Sequence, residues 1–82
     1  MGKKTIHQEG SIKIKIDTKD DVYFDAKDPH VSFEKNGRVI INHLLLTEVD
    51  NLVGRDSDEK KAIYWVRDNK KRIEEMYYQE NR

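Results

Sequence analysis

Apolar residues in this chain keep two different rhythms, and the change between them constrains the fold more than any other feature. In "SIKIKI" (residues 11–16), Ile12, Ile14 and Ile16 alternate with Lys13 and Lys15, the period of a strand with one buried face. Past residue 57 the spacing lengthens. At about 100° per residue, Ala62, Trp65, Val66, Asn69, Ile73, Met76 and Tyr77 fall on one stripe. Asp56 and Glu59 stand at capping-box spacing ahead of it, and the acids suit the positive end of a helix. Together these signals predict an α+β fold. A small antiparallel sheet of three to five strands, drawn from about residues 11–53, is covered on one face by one long C-terminal helix over about residues 57–80. All 82 residues are expected to form a single domain.

The clearest hairpin lies in "HVSFEKNGRVIIN" (residues 30–42). A two-residue Asn36-Gly37 loop suits a type I′ turn and sets Phe33 opposite Ile40, with Glu34 opposite Val39. A three-residue loop of Lys35, Asn36 and Gly37 instead sets Phe33 opposite Val39 and Val31 opposite Ile41, and pairs Glu34 with Arg38. The second register gathers Val31, Phe33, Val39 and Ile41 on one face and is preferred on burial. Residues 17–21 read as a polar turn and residues 22–24 as a short strand, which Pro29 and the residue before it bring to an end. Leu44, Leu45 and Leu46 extend the hairpin, begin another strand or form a helical turn. Lys13 and Lys15 would guard their strand against edge pairing if it lies at an edge.

Sixteen basic and sixteen acidic residues cancel, so no global field steers the chain to nucleic acid or to an anionic membrane. The absence of cysteine excludes disulfides, thiolate metal sites and a cysteine nucleophile. No apolar run reaches the ~20 residues of a membrane span, and the opening "MGKKTIHQEG" offers no signal-peptide core. A soluble cytoplasmic protein is expected. A thin core leaves little room for an enclosed substrate pocket.

His30, behind the only proline, is the residue most suited to chemistry near neutral pH. A two-histidine metal site needs a partner one strand step away, and Ser32 stands there. The preferred register puts Asn42 opposite His30 and the alternative puts His43 there. No third ligand is evident, so no metal and no cofactor are expected. Asp17, Asp20, Asp21, Asp25 and Asp28 lack calcium-loop spacing and read as solvated turn residues. Lys60, Tyr64, Arg67, Lys71 and Tyr78 form a basic and aromatic line on the outer helix face, suited to a protein partner or to phosphates and bases. Glu74 and Glu75 dilute it. Asn69, within the apolar stripe, is expected to bond a backbone group of the sheet or a loop.

"TIHQEGSIKIKI", "PHVSF" and "WVRDNKKRIEEMYY" resemble a family of small bacterial proteins of unknown function. Its members open with a Thr-Ile-x-x-x-Gly-Gly-like run. They continue with a Pro-Pro-His-x-His-Val stretch and close with a helix of Glu-Asn-(Arg/Lys)-Glu-Leu-Leu followed by an aromatic residue. Gly10 and Ser11 stand for the glycine pair, Pro29 and His30 for the Pro-His, Asn69 for the helix asparagine and Tyr77 for the late aromatic. Ser32 replaces the family's second histidine, and "DVYFDAKD" is extra length before the proline. The resemblance implies a setting in loci that look like toxin–antitoxin modules, and no biochemical activity follows from it.

No nucleotide loop, nucleophile elbow or Cys/His spacing is present. The leading expectation is therefore a non-enzymatic protein-interaction module in a toxin–antitoxin-like or mobile-element setting. Nucleic-acid binding through the same helix face is the alternative, and a His30-centred hydrolase a distant third. A thin core and an exposed strand also make a homodimer an option.

Overall fold

Ile12, Ile14 and Ile16 do form the heart of a sheet, but one with a strand in front of it that the apolar pattern does not mark. The computed structural model describes residues 2–80. Its strands are β1 (Lys3–Glu9), β2 (Ile12–Asp17), β3 (His30–Lys35) and β4 (Arg38–Leu45). A 3₁₀ turn at Val49–Asn51 leads to helices α1 (Ser57–Asp68) and α2 (Lys70–Gln79). The sheet is antiparallel and runs in chain order, so β1 and β4 are its edges. β2 is internal, and its lysines guard no edge. Lys15 instead holds Glu34 of β3 at 2.7 Å.

β1 has one aliphatic residue, Ile6, which sits at a bulge between Thr5 and His7 and packs on the core. The strand exists because Gly10, at φ 56°, turns the chain back onto β2 in the left-handed region that glycine tolerates. His7 then lies flat on Trp65 of α1, ring centroids 4.1 Å apart and 4° from parallel. Asp58 in the first turn of α1 clamps the same turn, accepting from the Ser11 N–H at 3.1 Å and hydroxyl at 2.8 Å.

The hairpin corrects the preferred register. Asn36 (φ 52°) and Gly37 (φ 79°) form the two-residue loop, with Lys35 opposite Arg38 and Glu34 opposite Val39. Phe33 nonetheless pairs with Ile41 and Val31 with Leu44. Extra residues in β4, Ile40 and then one around His43 (φ 57°), are bulges that shift the pairing twice. The turn keeps its local preference, and the bulges, rather than a longer loop, bring Ile41 and Leu44 to the core. Val39 is left half exposed instead of joining Val31 and Phe33. Leu44 and Leu45 belong to β4.

No strand forms at residues 22–24. Turns through Thr18, Asp21 and Phe24 occupy that stretch, and Phe24 turns inward to stack on Tyr77 at 4.9 Å.

The helical layer is two helices rather than one running from 57 to 80. At Asn69 (φ −123°, ψ 21°) the helix breaks. The Asn69 side-chain amide donates to the Trp65 carbonyl at 2.8 Å, the acceptor its own N–H would use in a continuous helix. That N–H bonds to the Val66 carbonyl at 3.2 Å instead. Asn69 is thus a local helix breaker, not a clasp to the sheet. Ala62, Ile63, Val66, Ile73 and Tyr77 are buried against the strand residues, while Trp65 and Met76 are partly buried. Ile63 lies outside the expected stripe. Burying each such aliphatic side chain contributes about 1.5–3 kcal/mol.

Asp56 caps α1 as expected, accepting from the Glu59 N–H at 2.9 Å. That bond holds the Asp56 carboxyl below its ordinary 3.8, and the Ser11 hydroxyl does the same for Asp58. A carboxyl lowered by folding contributes stability that is full above its unfolded value and lost as the pH falls through its folded one. The melting temperature is therefore expected to drop as the pH falls below 3.8. Asp58→Asn should be less stable at neutral pH and show a shallower acid fall, read by circular dichroism. An unchanged acid slope would remove Asp58 from this account.

Candidate functional site

The structure holds two groups of side chains of interest for function: a buried polar chain around His30, and an exposed apolar surface beside α1.

The β2–β3 register, continued from Lys15 opposite Ser32, brings Asp17 next to His30, and both are buried. His30 Nε2 hydrogen-bonds the Asp17 carboxylate, whose other oxygen accepts from Lys3 Nζ at 2.5 Å. The second ring nitrogen, Nδ1, lies 3.1 Å from the Asp28 carbonyl and 3.3 Å from the Tyr77 hydroxyl. That hydroxyl accepts from the Asp25 N–H at 3.0 Å, and burial pushes the Tyr77 phenol above its ordinary 10.0. Asp17 is therefore no solvated turn residue. Its carboxylate is kept in the interior by a cation on one side and an imidazole on the other. Asp20 and Asp28 are exposed, and Asp21 and Asp25 are partly so.

His43 stacks on His30, centroids 3.9 Å apart and tilted by 32°. The two-residue-loop register puts His43 opposite His30, and the two rings do meet, but not as a ladder pair. His30 pairs with Leu45, and the β4 bulge swings His43 over it. Both nitrogens of His30 are occupied by protein groups and the ring is 2% exposed. Chemically this is a polar tie between β1, β2, β3 and α2, with no ring nitrogen open to a reactant. Among the described residues, no three or more His, Cys, Asp or Glu side chains come together to hold a metal ion.

The expected outer line is divided by the break at Asn69. Lys60, Tyr64 and Arg67 line a groove of about 130 Å³ with Leu52, Val53 and Ile63. Tyr78 lines a different groove, beside Pro29, Leu45 and Glu74. Lys71 is exposed and lines neither. Arg67 is bound locally: its guanidinium donates to the Asp50 carbonyl at 2.9 Å and its Cζ lies 5.5 Å from the centroid of the Tyr64 ring. Asp50 also takes Lys70 at 2.6 Å, a bond that holds the Asp50 carboxyl below its ordinary value.

Sequence reasoning did not find the segment that organises this surface. Residues 52–54 pass between two grooves, because Leu52 and Val53 also line a second one of about 240 Å³ with Ile40, Ile41 and Arg55. Gly54 allows that path. A Cβ there would stand 2.7 Å from the Lys60 nitrogen. The signal was "LVGR" ahead of the α1 cap, two aliphatic residues with a glycine fitted to a helix.

The fold and these two groups define a small α+β protein, a four-stranded antiparallel meander under a broken helical layer. No family model, curated protein or solved structure matches the chain. Among the described residues no helix is long and apolar enough to cross a membrane.

Proposed function

We propose that the chain is a non-enzymatic protein-interaction module of the cytoplasm, and that the surface across residues 52–54 is where it binds. The observation that carries this reading is the exposure of Val53 (83%) and Tyr64 (56%) at the lip of grooves floored by Leu52, Ile41 and Ile63. A contiguous apolar surface costs a small domain solubility unless something covers it, and a tyrosine beside an arginine is a favoured anchor pair. The closed environment of His30 supports a role without catalysis. Membership of a toxin–antitoxin-like or mobile-element locus is the further proposal, and it rests on the sequence resemblance to the small bacterial family.

Co-expression with the product of the adjacent gene is the test. The two proteins are expected to co-elute on size exclusion, and Val53→Asp should weaken the complex at least about tenfold, the equivalent of about 1.4 kcal/mol. No co-elution, or a complex indifferent to Val53→Asp, would overturn the reading. Salt-dependent binding to DNA or RNA, lost in an Arg67→Ala/Lys71→Ala double variant, would replace it with a nucleic-acid function.

A further inference from the structure

A second exposed apolar feature lies in the loop between β2 and β3. Val22 is 89% exposed and Tyr23 58%, the former more so than any other large apolar side chain among the described residues. The loop itself builds this exposure. The Asp21 carboxylate accepts from the Tyr23 N–H at 2.8 Å, the Asp21 carbonyl from the Phe24 N–H at 3.1 Å, and Phe24 is drawn inward onto Tyr77. With its neighbours fixed on both sides, the tip formed by Val22 and Tyr23 points to solvent.

Carboxylates outnumber cations in the loop that carries that tip. Asp20 is exposed and Asp25 partly so, the latter held ionised below its ordinary value by the Lys27 N–H. Lys19 and Lys27 are the loop's two cations, against Asp20, Asp21, Asp25 and Asp28. Lys3 of β1 lies 4.0 Å from Asp21 and 6.0 Å from the Tyr23 ring centroid, which leaves Asp20, Asp25 and Asp28 as the carboxylates free to face a partner. The grooves beside residues 52–54 carry the opposite balance. Lys35, Arg55, Lys60 and Arg67 line them against one carboxylate, Glu59. Lys35 is already paired with Asp56 at 3.1 Å and Arg67 with Asp50 at 3.7 Å. Among the described residues Arg55 and Lys60 have no such partner.

The tip and the grooves lie at opposite ends of the sheet. The loop leaves β2 at Asp17 and enters β3 at His30, whereas the grooves adjoin Lys35 and Ile40 at the hairpin end. A six-residue strand separates them, about 20 Å. They do not meet within one chain.

We propose that the surface across residues 52–54 receives a second copy of this chain, whose Val22 and Tyr23 enter the grooves with their carboxylates toward Arg55 and Lys60. This deepens the interaction reading above and rests on it. Two copies laid antiparallel about a two-fold axis make both contacts at once and close as a dimer. Apolar burial at each tip supplies the affinity, and the opposed charges set orientation and rate of encounter.

Sedimentation of the full chain from micromolar to millimolar concentration tests this. A monomer–dimer equilibrium is expected, weaker at about 0.5 M salt than at about 0.05 M. Val22→Asp and Val53→Asp should each weaken it at least about tenfold. Both sites are exposed, so the variants should keep the wild-type circular dichroism spectrum; Tyr23→Ser is the second tip variant. An equimolar mixture of Val22→Asp and Val53→Asp should associate more strongly than either alone, because each brings the intact half the other lacks. A chain monomeric throughout, variants as strong as wild type, or a mixture no stronger than its parts would overturn the proposal. A monomeric chain that still binds its locus partner through Val53 would sink self-association alone. A dimer without a locus partner would do the reverse.

Discussion

Replacing Asp17 with alanine is expected to destabilise the protein by about 3–5 kcal/mol, the cost of stranding a buried charge partner. At about 0.05–0.15 kcal/mol per residue, the whole fold holds about 4–12 kcal/mol, so the variant should sit near the edge of folding. Asp17 is 1% exposed and serves two donors at once, Lys3 Nζ and His30 Nε2. Lys3 is a quarter exposed and regains water when the carboxylate goes. His30 does not, because Ser32, Val31 and Tyr77 around it are buried too. Asp17→Asn keeps the shape and one acceptor, and should cost less. Combining Asp17→Ala with His30→Ala should cost clearly less than the two single losses added, since each single variant already strands the other group. Urea titration of the four proteins measures this. Additive losses, or an Asp17→Ala loss below about 1 kcal/mol, would reduce the buried chain to a contact of convenience.

What was legible in the sequence follows the distance over which each feature is determined. Ile12, Ile14 and Ile16 declare their strand through neighbours two residues away, and Asp56 caps α1 through Glu59 three residues on. Asp17 looks like its neighbours in "DTKDD", yet its partners His30 and Lys3 are 13 and 14 residues distant, beyond any local pattern. β1 is equally hidden, since one isoleucine and a histidine that finds its apolar surface on Trp65 leave no alternation to read. The hairpin shows two requirements that the residues state together and a regular ladder cannot meet. Asn36-Gly37 demands a tight turn and Ile41 demands burial, and only a bulge at Ile40 grants both. Counting from the two-residue loop puts His43 opposite His30, and the rings do meet. The bulged strand nevertheless makes Leu45 the ladder partner of His30, which no regular count reaches. The grooves beside Val53 depend on where an extended segment crosses a helix, which Gly54 permits without announcing.

Tyr77 carries the second large effect, and two substitutions separate its ring from its hydroxyl. Tyr77→Ala should cost about 3–5 kcal/mol, because it empties a fully buried position and removes the surface on which Phe24 stacks. Tyr77→Phe keeps the ring and should cost about 1–3 kcal/mol, since the Asp25 N–H loses its acceptor. The hydroxyl also has a signature in alkali. Burial raises the folded phenol above 10.0, so stability is full below that value and falls as the pH climbs toward the raised one, where the unfolded chain ionises first. In tyrosinate absorbance Tyr77 should appear as a late step, ionising only as the fold opens. In Tyr77→Phe the late step should vanish and the alkaline fall in stability should flatten. A Tyr77→Phe protein as stable as wild type, with the same alkaline limb, would mean that the ring alone matters at position 77. The link from α2 to Asp25 and His30 would then add nothing to the fold.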